Sequence, residues 1–182
     1  MVERVPPKLT SLDTNHIVLD IGLVYTKCGF IKDNVPKHIV PTPFTLVAKL
    51  RDNIKTLQTT TFADLQTTNR KLLVREVEEF LSTIFYHVLQ TNPKEKAIVI
   101  LESFMGLRVI TEAITSCCFK SFGCKSVYNV LSNIAPLYST GMDSGIVIDI
   151  GFQQAQILPI VRSRICLEGL ELSYCGGCIV ER

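Results

Sequence analysis

His16 to Asp20 is an apolar, β-rich run, Gly22 marks a turn, and apolar and polar positions alternate through VYTKCGFI, a pattern that predicts two strands joined by a tight turn. A third strand, HIVPTPF, follows the Asp33-Asn34 turn signal, and Pro41 and Pro43 end its regular pairing. Thr45 to Lys71 is polar and Thr-rich with no strong period, and reads as a small excursion or mobile loop. Leu73, Val77, Phe80, Leu81, Ile84, Phe85 and Val88 then recur at helical spacing, which predicts an amphipathic helix ending before Pro93. AIVILES is a buried strand by its run of apolar, β-branched residues. Ile110, Ala113, Ile114 and Cys117 predict a second helix, KSVYNV a short strand, and LSNIAPLYST a third helix that Pro136 weakens or kinks. GIVIDIG opens a new strand, QAQILPIV and SRICLEG supply two more, and Gly176-Gly177 leads into what reads as the first turn of another helix.

The order is three strands, helix, strand, helix, strand, helix, then three strands again. This is an α/β pattern with a mixed sheet and flanking helices, similar to the ribonuclease-H-like arrangement, and it restarts at Gly145. VLDIGLVYTKCGF and VIDIGFQQAQILP are nearly the same phrase, so the chain reads as an internal duplication with one Asp-x-Gly hairpin at the start of each copy. A single such hairpin is common and says little. Two at equivalent points are more specific. Glycine lets backbone N–H groups approach an anion closely. An Asp ahead of the turn suits a hydrated divalent cation, and a nearby Lys, here Lys27, suits phosphate charge. The pair therefore predicts a clamp around a phosphate chain.

Composition narrows the field further. The chain has 182 residues, 47% hydrophobic and 20% charged, which is globular and far from the disordered class. A net charge of +2 gives no nucleic-acid or anionic-membrane footprint, and no apolar run reaches transmembrane length. Residues 1–15, MVERVPPKLTSLDTN, lack the apolar stretch of a signal peptide and read as a flexible lead-in. Seven cysteines lie mostly inside apolar segments, so without an export signal they read as reduced core thiols. CGGC, Cys175 to Cys178, has no second ligand pair to complete a zinc site and no thioredoxin-like context. His16, His38 and His87 share no metal spacing, and no nucleophile-bearing turn supports a Ser-His-Asp arrangement. No metal site and no catalytic residue are assigned. Glu102 ends a buried strand, a place that often faces a site, although a surface salt bridge is the blander role.

From His16 onward the residues resemble the actin superfamily. LDIGLVYTKCGFIKDNVPKHIVP is similar to that family's first phosphate loop, and YSTGMDSGIVIDIG followed by LPI to its second. FYHVLQTNP and LES fall between them in matching order and spacing. The resemblance implies an actin-like ATPase fold whose first half, 16–144, is complete. Within it, 45–71 stands as a reduced second-subdomain excursion, and 145–182 begins a truncated second half. It carries over Asp20, Gly22 and Lys27 to the first phosphate site, Asp149 and Gly151 to the second, and Gly177 to the adenosine side. The implied cofactor is ATP or ADP with Mg, weakly held or absent in such a fragment. A half-fold also implies exposed apolar strand edges, an aggregation liability.

The departures from the family pattern carry their own implications. A Ser and a Gly of the first loop become Leu23 and Val24, and an Asp-Gly of the second becomes Phe152-Gln153. The family's water-positioning Gln aligns with Ser132 and its supporting His with Gln156. Positioning water is most of what such an enzyme contributes to phosphoryl transfer. A protein that does not hydrolyse ATP is therefore expected. Within the superfamily the resemblance is greatest to the divergent branch of the dynactin pointed-end complex, through TKCGF, NPKEKAIVILES and the short excursion. That branch implies a cytoplasmic, cytoskeletal protein capping an actin-like filament, with filament subunits and other pointed-end subunits as partners. It implies neither nucleic acid nor membrane insertion. The alternatives are an actin-fold ATPase or small-molecule kinase, and a nuclear chromatin-remodelling actin-related protein.

Overall fold

The computed structural model describes residues 16–43, 67–104 and 108–180. That first pattern becomes β1 (His16–Ile21) and β2 (Tyr25–Phe30), followed by β3 (His38–Pro41). These pair antiparallel, with Val18 opposite Gly29 and Asp20 opposite Lys27. The apolar run becomes β4 (Ala97–Glu102), and β5 (Ser126–Leu131) follows it. Both run parallel to β1, giving one five-stranded mixed sheet in the order β3-β2-β1-β4-β5. The C-terminal ends of β1, β4 and β5 therefore lie along one side, where ligands collect in open α/β sheets.

Parallel neighbours need crossovers, and two helices supply them: α1 (Thr67–Ser82) and α2 (Arg108–Lys120). Their apolar stripes close on a single face of the sheet. Ile17, Leu19, Cys28, Ile98 and Ile100 from the strands meet Val77, Phe80 and Leu81 of α1 and Ala113, Ile114, Cys117 and Cys118 of α2. Asp20 and Lys27 alternate to the other face, beside Leu101. The second half is a smaller antiparallel sheet of β6 (Gly145–Ile150), β7 (Ala155–Val161), β8 (Arg164–Ile165) and β9 (Glu171–Ser173).

The predicted element order holds, with local corrections. The helical run does not stay α throughout: Thr83–Val88 is a π-helical segment, and Leu89 N donates to Ile84 O, five residues back, at 2.8 Å. α1 already begins at Thr67, so the end of the stretch read as an excursion is helix. The rest of that stretch, 45–66, and the lead-in 1–15 lie outside the described residues. Pro136 kinks nothing. The third helix is only α3 (Ala135–Ser139), and Pro136 sits in its first turn, where the missing N–H costs no intrahelical bond. The strand read from SRICLEG shrinks to β8, because its end turns as a 3₁₀ helix, Leu167–Gly169, and a further strand that the pattern did not predict, β9, follows it. The break faces Leu158 and Pro159 of β7, and a proline has no N–H for a ladder. The last turn, Gly177–Ile179, is 3₁₀.

Candidate functional site: two matched turns at the end of β4

The repeated Asp-x-Gly phrase folds the same way twice. Gly22 N donates to Tyr25 O at 3.1 Å, and Gly151 N donates to Gln154 O at 2.9 Å. In each case the bond closes a four-residue turn just beyond a paired residue, Ile21 with Thr26 and Ile150 with Ala155. Asp20 stands opposite Lys27, and Asp149 opposite Gln156. Lys27 and Gln156 therefore hold equivalent places, one with an ammonium and one with a neutral amide.

The first turn is anchored from β3. Thr42 N donates to Val24 O at 2.8 Å and Thr42 Oγ1 to Gly22 O at 2.8 Å. Thr26 Oγ1, fully buried, lies 2.9 Å from Thr42 Oγ1. Lys27 Nζ lies 3.2 Å from Asp20 Oδ2, with both side chains partly open to solvent. A pair this exposed contributes about 0.2–1 kcal/mol, so the ammonium is readily redirected toward a phosphate.

The second turn is held from two directions. On one side the chain end packs on it: Gly177 N donates to Gly151 O at 3.0 Å and Cys178 N to Phe152 O at 2.8 Å. Gly176 comes so close that a Cβ there would meet Gln153 C at 2.6 Å and Gln154 N at 2.7 Å, as well as the carbonyl oxygen of Phe152. On the other side, Asn133 Nδ2 donates to Asp149 Oδ2 at 3.0 Å while Asn133 Oδ1 accepts from Phe104 N at 2.9 Å. Gln156 Nε2 donates to Ser103 Oγ at 2.9 Å.

Ser103 and Phe104 follow directly on β4, and β4 is the parallel neighbour of β1, with Leu101 beside Asp20. Both turns thus flank the C-terminal end of β4. Asp20, Gly22 and Lys27 gather at one turn, and Asp149, Gly151 and Gly177 at the other. Pattern reading missed Thr26, Thr42, Ser103, Asn133 and Gly176. For Thr42 and Asn133 no local period exists to find, because their partners lie far along the chain. Gly176 stood beside the glycine singled out, but Gly176 is the one with no room for a side chain. At Gly177 the nearest atoms to a Cβ lie at 3.9 Å.

The donor set fits a hydrated cation and a phosphate in part. Asp20, Asp149 and Lys27 are the residues that would hold them. Against this, Leu23 and Val24 put half-buried side chains into the first turn, and the Gly177 amide is already bonded to Gly151. Gln156 cannot exchange a proton, since an amide does not titrate in the working range. Among the described residues its buried Oε1 has no hydrogen-bond partner.

Comparison with known proteins agrees with this architecture. A family model described as Actin matches residues 11–181. The chain is 31% identical over 162 residues to Actin-related protein 10 of Dictyostelium discoideum, covering 80% of this chain and 34% of that protein. It is 26% identical over 169 residues to Actin-related protein 2 of Schizosaccharomyces pombe, covering 84% and 43%, respectively. It is also 26% identical over 163 residues to Actin-like protein 7A of Homo sapiens, covering 81% and 37%. The chain thus spans less than half the length of these curated relatives. With a family match across nearly its whole length and the doubled turn in its structure, the chain belongs to the actin family.

Proposed function

We propose that this chain belongs to a non-catalytic actin-related subunit of dynactin, one that caps the pointed end of the actin-like filament and supports dynein-driven transport along microtubules in the cytoplasm. The observation that carries the non-catalytic reading is Gln156. It stands opposite Asp149 at the second turn, where a general base would have to act, and it is a neutral amide already donating to Ser103. Leu23 and Val24 in the first turn support weak nucleotide retention, because their side chains crowd the approach of a phosphate to the backbone. ATP or ADP with Mg is then a structural wedge, held through Asp20, Asp149 and Lys27, and not a substrate. The similarity to an actin-related protein 10 supports the dynactin placement.

The full-length protein, tagged in its own cells, tests both parts. Recovery of actin-like filament subunits and pointed-end subunits is the expected result. Recovery of chromatin-remodelling subunits would replace the dynactin assignment with a nuclear one. Phosphate release from ATP at the rate of a conventional actin filament would overturn the non-catalytic reading.

A further inference from the structure

We propose that Asn133 and Gln156 are positioning residues that form a clasp, holding the second turn against the end of β4 whether or not a nucleotide is bound. The proposal rests on reading the space between the turns as a nucleotide cleft.

Asn133 is 1% exposed and Gln156 4% exposed, so two neutral amides are buried where their polar atoms need partners. Asn133 uses both ends. Its Oδ1 takes the Phe104 N–H and its Nδ2 is given to the Asp149 carboxylate, at 2.9 and 3.0 Å. Only one orientation of the amide satisfies both, since flipping it would set a donor against an N–H and an oxygen against a carboxylate. Gln156 makes the second link, to Ser103. These contacts span 29, 16 and 53 positions of sequence, so they join β4, the β5–α3 connection and the second sheet rather than stabilising any one element. A hydrogen bond to a carboxylate, here the half-buried one of Asp149, is among the stronger kinds. A cleft built only around a cation-bound polyanion would leave this carboxylate to the cation and its waters. Here the protein supplies its own bridge, and Gln156 Oε1 remains to accept from water or ligand.

The test is residue-resolved hydrogen exchange on the full-length protein after nucleotide is stripped with a chelator and a nucleotide-hydrolysing enzyme. The Phe104 and Gly177 amides are expected to stay protected in the stripped protein. Asn133→Ala should speed exchange at Phe104 at least tenfold, with a smaller rise around 151–154. Ser103→Ala, which removes one half-buried hydroxyl and the partner of Gln156 Nε2, should speed 151–156 several-fold and leave Phe104 unchanged. Protection that appears only on adding MgATP, or exchange at 151–156 unmoved by Ser103→Ala, overturns the clasp. If MgATP changes no amide while the stripped protein is protected, the clasp stands and the nucleotide reading fails.

Discussion

Gly22 and Gly151 close two copies of one turn, each donating its N–H to the carbonyl three residues on, yet the two copies are not equally tight. A Cβ at Gly22 would meet Tyr25 O at 2.7 Å, and one at Gly151 would meet Gln154 O at 3.2 Å. The first contact is with backbone fixed by the ladder and by Thr42, so something must shift. The second needs a few tenths of an ångström.

Gly22→Ala should therefore destabilise by about 2–3 kcal/mol, within the range for forced overpacking, and Gly151→Ala by about 1 kcal/mol or less. Urea unfolding of both variants checks this. Equal losses would mean that the two turns share a single conformation and that the difference in approach carries no energy.

A second contrast lies at the chain end. Gly176→Ala should detach Gly177–Ile179 from the second turn, because backbone atoms of Phe152, Gln153 and Gln154 occupy the place of the new methyl. Gly177→Ala, with its nearest atoms at 3.9 Å, should leave the segment docked. Limited chymotryptic cleavage after Tyr174, the exposed aromatic just ahead of the segment, reads this, with faster cutting expected for Gly176→Ala alone. If Gly177→Ala is the more susceptible variant, the docking geometry is different from the one described.

The strands, the parallel crossovers and the repeated turn were legible in the sequence because each leaves a local mark: period two, period 3.6, or Asp-x-Gly at matching points. What joins the turns was not. Asn133 bonds to Phe104 and Asp149, and Thr42 to Gly22, across 29, 16 and 20 positions, so no window holds both partners. Thr42 sits between prolines in a stretch that marks only the end of pairing. The early start of α1 was hidden because Thr67, Thr68 and Asn69 are weak helix formers, and tertiary packing of the later turns carries the helix. The short third strand and the unread β9 had a visible cause in Pro159, which offers no N–H to the β8/β9 side although its other side stays paired with Ile146.

The core thiols give the fold an alkaline limit. Burial raises Cys28. Burial, helped by the negative charge of Glu78 and opposed by Lys120, pushes Cys117 up to about 11 from an ordinary value of 9.0. The contact with Cys124 and then burial raise Cys118, and that same contact lowers Cys124. An unfolded Cys117 ionises near its ordinary value while the folded one keeps its proton, so the folded state binds more protons in between. The stability Cys117 contributes is complete below pH 9 and is lost as pH rises from there through about 11. Cys117→Ala should flatten the fall of the urea midpoint across that window, even if it lowers stability at neutral pH. An unchanged slope would assign the alkaline loss to other groups. In the native protein at pH 8, a thiol reagent should label exposed Cys166 and Cys175 first and reach Cys117 and Cys118 only on unfolding.

The expected apolar liability lies on a face as well as an edge. Among the described residues β6 is an edge strand of the second sheet, and Ile146, Ile148 and Ile150 all point outward, 68%, 62% and 69% exposed. Ile157 and Pro159 of β7 stand opposite Ile148 and Ile146 on the same face, and Val161 is 57% exposed farther along that strand. A flat, apolar edge strand is a template for association. The 182-residue chain should therefore self-associate with rising concentration, and Ile148→Lys should suppress it, because a charge at the centre of the stripe must be desolvated in any stacked pair. Since Ile148 is already mostly exposed, the urea midpoint should move by no more than about 0.5 kcal/mol equivalent. Sedimentation velocity over a concentration series separates the causes. If Ile148→Lys associates as readily as the parent, the open backbone of β6 and not its side-chain face is the contact, and a proline at an outward N–H position of β6 becomes the variant that dissociates it.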